Sequence, residues 1–186
     1  MDYHKKYLKY KSKYFQLKSL GKYDVEISNG NPLGIVEFVT SEQFSSYQIS
    51  GIISCIGIVV RSYKEIECGL IKLINGQAVH FIHGDLNQDH KYPDQPHFID
   101  IPEGKSKLTD QGNVVIKKFE NFINENKENK IQLDFITSGD SNNIHKSTQY
   151  MVNTLIERFK KLTCDIEIKQ HKGISSITIT PQIWGF

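Results

Sequence analysis

Cys55 stands at the head of the apolar run Ile56-Gly57-Ile58-Val59-Val60, and His80 lies within Ala78-Val79-His80-Phe81-Ile82. Sulfur attacks as thiolate, and a free cysteine has a pKa of about 8.5, so a working nucleophile needs a base beside it. Imidazole suits that task near neutral pH. A thiol and an imidazole on neighbouring strands would therefore attack a carbonyl carbon. A plainer reading stands beside this one: buried cysteines are mostly inert, and a strand histidine is commonly a satisfied core residue. Cys68 and Cys164 have no histidine in a comparable strand and read as ordinary thiols. A third group must orient His80 or hold a substrate amide. Ser45, Ser46, Ser50 and Ser54 are the upstream hydroxyls, with Gln77 and Asp85 as further candidates.

His83, Asp85, Asp89, His90 and His97 crowd the same stretch. Imidazole and carboxylate are zinc ligands. On one strand, however, His80 and His83 would point to opposite faces, and the spacing matches no metal motif. No metal and no cofactor is expected.

The strands that would carry these groups are legible as hydrophobic patterns. Gly34–Thr40, Tyr47–Val60 and Glu65–Ile74 read as strands. Asn75-Gly76 is a tight-turn dipeptide, so Ala78–Ile82 should return as a hairpin antiparallel to 66–74. The stretch 84–96, broken by Pro93 and Pro96, reads as a loop, and 97–101 as a short edge strand. Asp110 is placed to cap a helix over 111–125, with Val114, Val115, Phe119, Phe122 and Ile123 on one side. Ile131–Thr137 reads as a strand and 144–162 as a long amphipathic helix. The segments 165–170 and 174–180 read as a closing strand pair around Lys172-Gly173. Many strands with a few amphipathic helices make an α+β layered domain.

Residues 1–22 form a separate module. Tyr3, Tyr7, Tyr10, Tyr14 and Leu17 repeat at heptad spacing among lysines, which reads as an amphipathic helix that packs on the domain or self-associates. A basic surface for anionic lipid or nucleic acid is the rarer reading of such a helix. The net charge of +2 is concentrated in this segment and does not describe a nucleic-acid-binding domain. No run of about 18 apolar residues is present, and no apolar stretch follows the N-terminal lysines, so neither a membrane span nor a secretory signal is expected. Three cysteines fit a reducing, cytoplasmic setting better than a disulfide scaffold.

The motifs Ile52-Ile53-Ser54-Cys55-Ile56 and Gly76-Gln77-Ala78-Val79-His80-Phe81 resemble two elements of the CheD family of chemoreceptor glutamine deamidases. That family shares its fold and its Cys-His site with toxins of the cytotoxic necrotizing factor type. The resemblance covers about residues 34–180 and includes Asn143 before the long helix. It implies a deamidase domain over 28–186, built as a four-layer α/β/β/α sandwich with mixed sheets. It implies that Cys55 attacks the carboxamide of a protein glutamine and that His80 handles the thiol proton, releasing ammonia and leaving glutamate. Ile53 replaces the family glycine. The family threonine six residues before the cysteine falls at Ile49, where Ser50, or Ser46, would have to stand in. An inactive binding or scaffold module of the same fold is the alternative. The segment Tyr7-Leu8-Lys9-Tyr10-Lys11-Ser12-Lys13-Tyr14 also resembles the opening of many proteins from large DNA viruses of amoebae, which would place the chain in a host cytoplasm or a virion.

Overall fold

The run Ile56, Ile58, Val59, Val60 is buried on both of its faces, as only a strand inside a covered sheet can be. The computed structural model describes residues 25–26, 35–39, 47–49, 52–65, 70–84, 96–138, 146–162, 165–174, 177–179 and 183–185. In chain order the strands are β1 (Val25–Glu26), β2 (Ile35–Val39), β3 (Tyr47–Ile49), β4 (Ile56–Glu65), β5 (Leu70–Phe81), β6 (His83–Gly84), β7 (Phe98–Ile101), β8 (Lys105–Leu108), β9 (Lys130–Thr137), β10 (Ile166–Lys172), β11 (Ile177–Ile179) and β12 (Ile183–Gly185). The described helices are α1 (Asp110–Glu125) and α2 (Lys146–Lys160). The central six-stranded sheet runs β10-β9-β4-β5-β12, with β2 also paired to β5. Strand β4 is antiparallel to β5 and to β9, while β10 is parallel to β9. Two three-stranded sheets, β1-β3-β11 and β6-β7-β8, hold the other described strands.

The two faces of the central sheet have different cover. Ile56, Ile58 and Val60 share a face with Leu133 and Phe135, and the apolar stripes of both helices close over it: Val115, Ile116, Phe119 and Ile123 from α1, Met151, Val152, Leu155 and Phe159 from α2. The other face carries Val59, Ala78 and Ile136 and packs on Ile49 and Ile52. Fully burying one such aliphatic side chain contributes about 1.5–3 kcal/mol. The second face also holds a buried ion cluster. Asp134, with no exposure, accepts from Arg61 at 2.6 Å, from His171 at 2.8 Å and from Gln132. This carboxylate ties β4, β9 and β10 together side by side.

The described elements form the expected mixed α+β class. Both described helices cover one face of the central sheet. Residues 1–22, expected to be a helix, lie outside the described residues.

Several sequence expectations are corrected. Asn75-Gly76 is not a turn: β5 runs straight through it, with Gly76 opposite Arg61 on one side and Phe38 on the other. Flanking strands on both sides satisfy the backbone there and override the local turn preference. The strand carrying His80 is therefore antiparallel to the strand that follows Cys55, and not to residues 66–74. Residues 47–60 make two strands in different sheets, separated by a bend at 53–55. The helix α1 is capped by Thr109, not Asp110: its hydroxyl accepts from the Gly112 amide at 3.0 Å. Val114, expected on the packed side, is exposed. The closing pair does not pair with itself: β10 joins β9, and β11 joins β3. Strand β7 is no edge, since β6 and β8 flank it.

Candidate active site

The bend that ends in Cys55 is fixed at two carbonyls. The Ser138 hydroxyl, just past β9, donates to the Ile53 carbonyl. Thr148, in the first turn of α2, donates to the Ser54 carbonyl at 2.9 Å. Gly57 completes the fit. A Cβ there would stand 3.0 Å from Ile52 Cδ1 and 3.2 Å from Ile136 Cβ, so only glycine lets Ile52 fold back over the strand without displacing a neighbour. Ile53, held by the same bend two residues before Cys55, is 82% exposed.

The Cys55 sulfur is a half-buried free thiol. It accepts a hydrogen bond from the His83 amide at 3.5 Å and another from the Ser54 hydroxyl. Burial raises the thiol pKa above its ordinary value, and these two donors work in the opposite direction without winning. At neutral pH the group is a thiol that needs a base.

Pairing of β4 with β5 sets Gly57 opposite His80, so the imidazole stands at the end of the strand pair that Cys55 leads into. His80 is 8% exposed, and its Nε2 is buried without a hydrogen-bond partner. Burial lowers its pKa, so the ring is neutral at pH 7. Buried polar atoms are nearly always satisfied, and an orphan nitrogen on the strand paired with the one Cys55 leads into is the kind of exception that calls for a functional account.

Two more histidines gather at this end. His97 is buried, stacks on Phe81 with ring centroids 4.9 Å apart, and accepts the Ile82 amide on Nδ1 at 2.8 Å. His83 packs its ring against Phe98 and reaches Asp100 Oδ1 through Nε2 at 2.7 Å.

Burial first, and the nearby His80 second, lower His97 from 6.5 to about 4. The unfolded chain therefore takes up this proton more readily than the folded one. The stabilisation is whole above the unfolded value and is lost as pH falls from there towards the folded value. The full shift is worth roughly 3 kcal/mol. Urea unfolding should show stability falling by about 2.5 kcal/mol between pH 7 and pH 4.5 through this group alone. His97→Gln, which can still accept the Ile82 amide, should remove that part of the slope. An equal slope in both proteins would contradict the assignment.

No family model and no curated protein matches the chain. The site is thus described by its own geometry. Of the expected residues, Cys55 and His80 are brought to one end of one strand pair. Ser50 lies outside the described residues, as do Ser45, Ser46, Asp85, Asp89, His90, Asn143, Cys68 and Cys164. Among the upstream hydroxyls, Ser54 is the one whose contact with the sulfur is described. Gln77 turns away and donates to Glu37 at 3.1 Å. Among the described residues no group of three or more His, Cys, Asp or Glu side chains is placed to hold a metal ion. No described helix is long and apolar enough to cross a membrane. Sequence reasoning did not find the pairing of His83 with Asp100. It depends on β6 lying beside β7, and no spacing in the chain announces that contact.

Proposed function

We propose that the protein is a cysteine-dependent protein glutamine deamidase with a CheD-like site. The observation that carries this reading is the orphan Nε2 of buried His80 on the strand paired to the one Cys55 leads into. In the proposed reaction Cys55 attacks the carboxamide carbon of a glutamine side chain. A histidine ring takes the thiol proton and returns it to the departing ammonia. Water then cleaves the thioester and leaves glutamate. The reaction needs no cofactor, and its free thiol fits a reducing compartment. A bend pinned from two sides supports the reading, because a nucleophile held in place avoids the entropy cost of positioning it during the reaction. Exposed Ile53, two residues before Cys55, offers a protein substrate an apolar contact.

The test is ammonia release from unfolded β-casein and from the blocked dipeptide Cbz-Gln-Gly, with the mass increase of glutamine conversion as a second readout. His80→Asn should lower turnover by about 100-fold while the urea midpoint holds. Unchanged turnover in that variant rejects the reading.

One pair of observations favours a binding module instead. Burial keeps the thiol protonated, and Ile49, at the family's threonine position, is a buried apolar residue with no hydroxyl. Under that reading iodoacetamide labels Cys55 no faster than a model thiol, and no ammonia appears from either probe.

A further inference from the structure

The Cys55 sulfur touches the main chain of one histidine, His83, and Cys55 leads into the strand paired with the one that carries another, His80; the two rings are differently partnered. His80 is buried, neutral and unpartnered at Nε2. Proton transfer from Cys55 to His80 is uphill from both sides, since burial raises the thiol and lowers that imidazole. His83 has the opposite equipment. Its main-chain amide already touches the sulfur at 3.5 Å, and its Nε2 is engaged by the Asp100 carboxylate at 2.7 Å. A neutral ring that donates Nε2–H to a carboxylate carries its lone pair on Nδ1, the ring nitrogen nearer the main chain. That main chain is the part of His83 in contact with the sulfur. A carboxylate behind an imidazole fixes its tautomer and stabilises the cation formed when it accepts a proton.

We propose that His83, oriented by Asp100, is the base that takes the Cys55 proton, and that neutral His80 uses its Nε2–H to hold the carboxamide oxygen as it gains charge. This division of labour rests on the deamidase reading. The thiol proton passes to Nδ1 of His83 while sulfur bonds to the carboxamide carbon. The carbonyl π pair moves onto oxygen, where His80 Nε2–H donates to it. Collapse re-forms the carbonyl and breaks the C–N bond, and the proton on His83 goes to the leaving nitrogen as ammonia departs. Water then attacks the thioester, gives a proton to His83, and expels the sulfur, which takes that proton back. A histidine kept neutral by its surroundings can polarise a carbonyl, as an imidazolium would, without giving up its proton.

The two roles separate experimentally. Alkylation of Cys55 by iodoacetamide reports proton removal from sulfur and needs no oxyanion donor. It is read by peptide mass spectrometry across pH 5–9, which also sets Cys55 apart from the other cysteines. His83→Asn should slow alkylation near pH 7.5 by about 100-fold and erase the imidazole limb of its pH profile, and Asp100→Asn should shift that limb and slow the reaction less. His80→Asn should leave alkylation within about threefold and still lower ammonia release by about 100-fold. His83→Gln serves as a second variant, and urea midpoints check that each protein folds. Slowing by His80→Asn with normal alkylation in both His83 variants overturns the assignment, as does a profile moved by none of them. A wild-type protein that releases no ammonia from β-casein or Cbz-Gln-Gly yet shows His83-dependent alkylation removes the deamidation step, while the base assignment at the sulfur stands.

Discussion

Cys55→Ser should lower ammonia release by at least about a thousandfold while the protein stays folded. A hydroxyl is a far weaker acid than a thiol, and the buried setting that already raises the thiol pKa would raise a serine hydroxyl further. The smaller side chain fits the space the sulfur leaves without a clash. The surrounding bend is held by Ser138 and Thr148 and does not depend on the sulfur. The unfolding midpoint in urea should therefore move little. Turnover within tenfold of the wild type would mean that another atom attacks.

Gly112→Ala should cause the largest loss of stability. Alanine ordinarily stabilises a helix interior by about 1 kcal/mol relative to glycine. Here the sign reverses. A Cβ at Gly112 would lie 1.9 Å from the His97 carbonyl oxygen and 2.8 Å from its carbon. Both are main-chain atoms, and they cannot swing aside. The first turn of α1 is bound to that segment, because the Thr109 amide donates to the His97 carbonyl at 3.0 Å and the Thr109 hydroxyl caps Gly112. The helix must lift or the segment must shift. The expected cost is about 3 kcal/mol or more, seen as a fall in Tm of roughly 6–12 °C. The shift also reaches the site, since His97 accepts the Ile82 amide next to His83. A Tm equal to or above that of the wild type would contradict the close approach.

Patterns with a period are legible in the sequence itself. The stripe Val115, Phe119, Phe122, Ile123 and the stripe Met151, Val152, Leu155, Phe159 each cover the core as their spacing requires. The apolar run after Cys55 reads as a central strand because both of its faces need cover. Pairing was harder to read. Asn75-Gly76 carries a strong local turn signal, and strands on both sides overrule it. The segments on either side of Gly173 look like a hairpin in sequence, but each finds a partner in a different sheet. The thiol and His80 could be singled out by residue type and neighbourhood. Asp100 could not, because a lone aspartate on a short strand has no local feature that separates it from any surface carboxylate.

The proposal that Cys55, with His83 and His80, opens a glutamine carboxamide can be tested on the protein's own mass. The full chain is mixed with Cbz-Gln-Gly, quenched in acid within the first turnovers, and digested. The account predicts an adduct equal to the peptide less ammonia, carried by Cys55, absent from Cys55→Ser and more abundant when deacylation is slowed. Ammonia released with no adduct on that sulfur, or an adduct on a different cysteine, would contradict it.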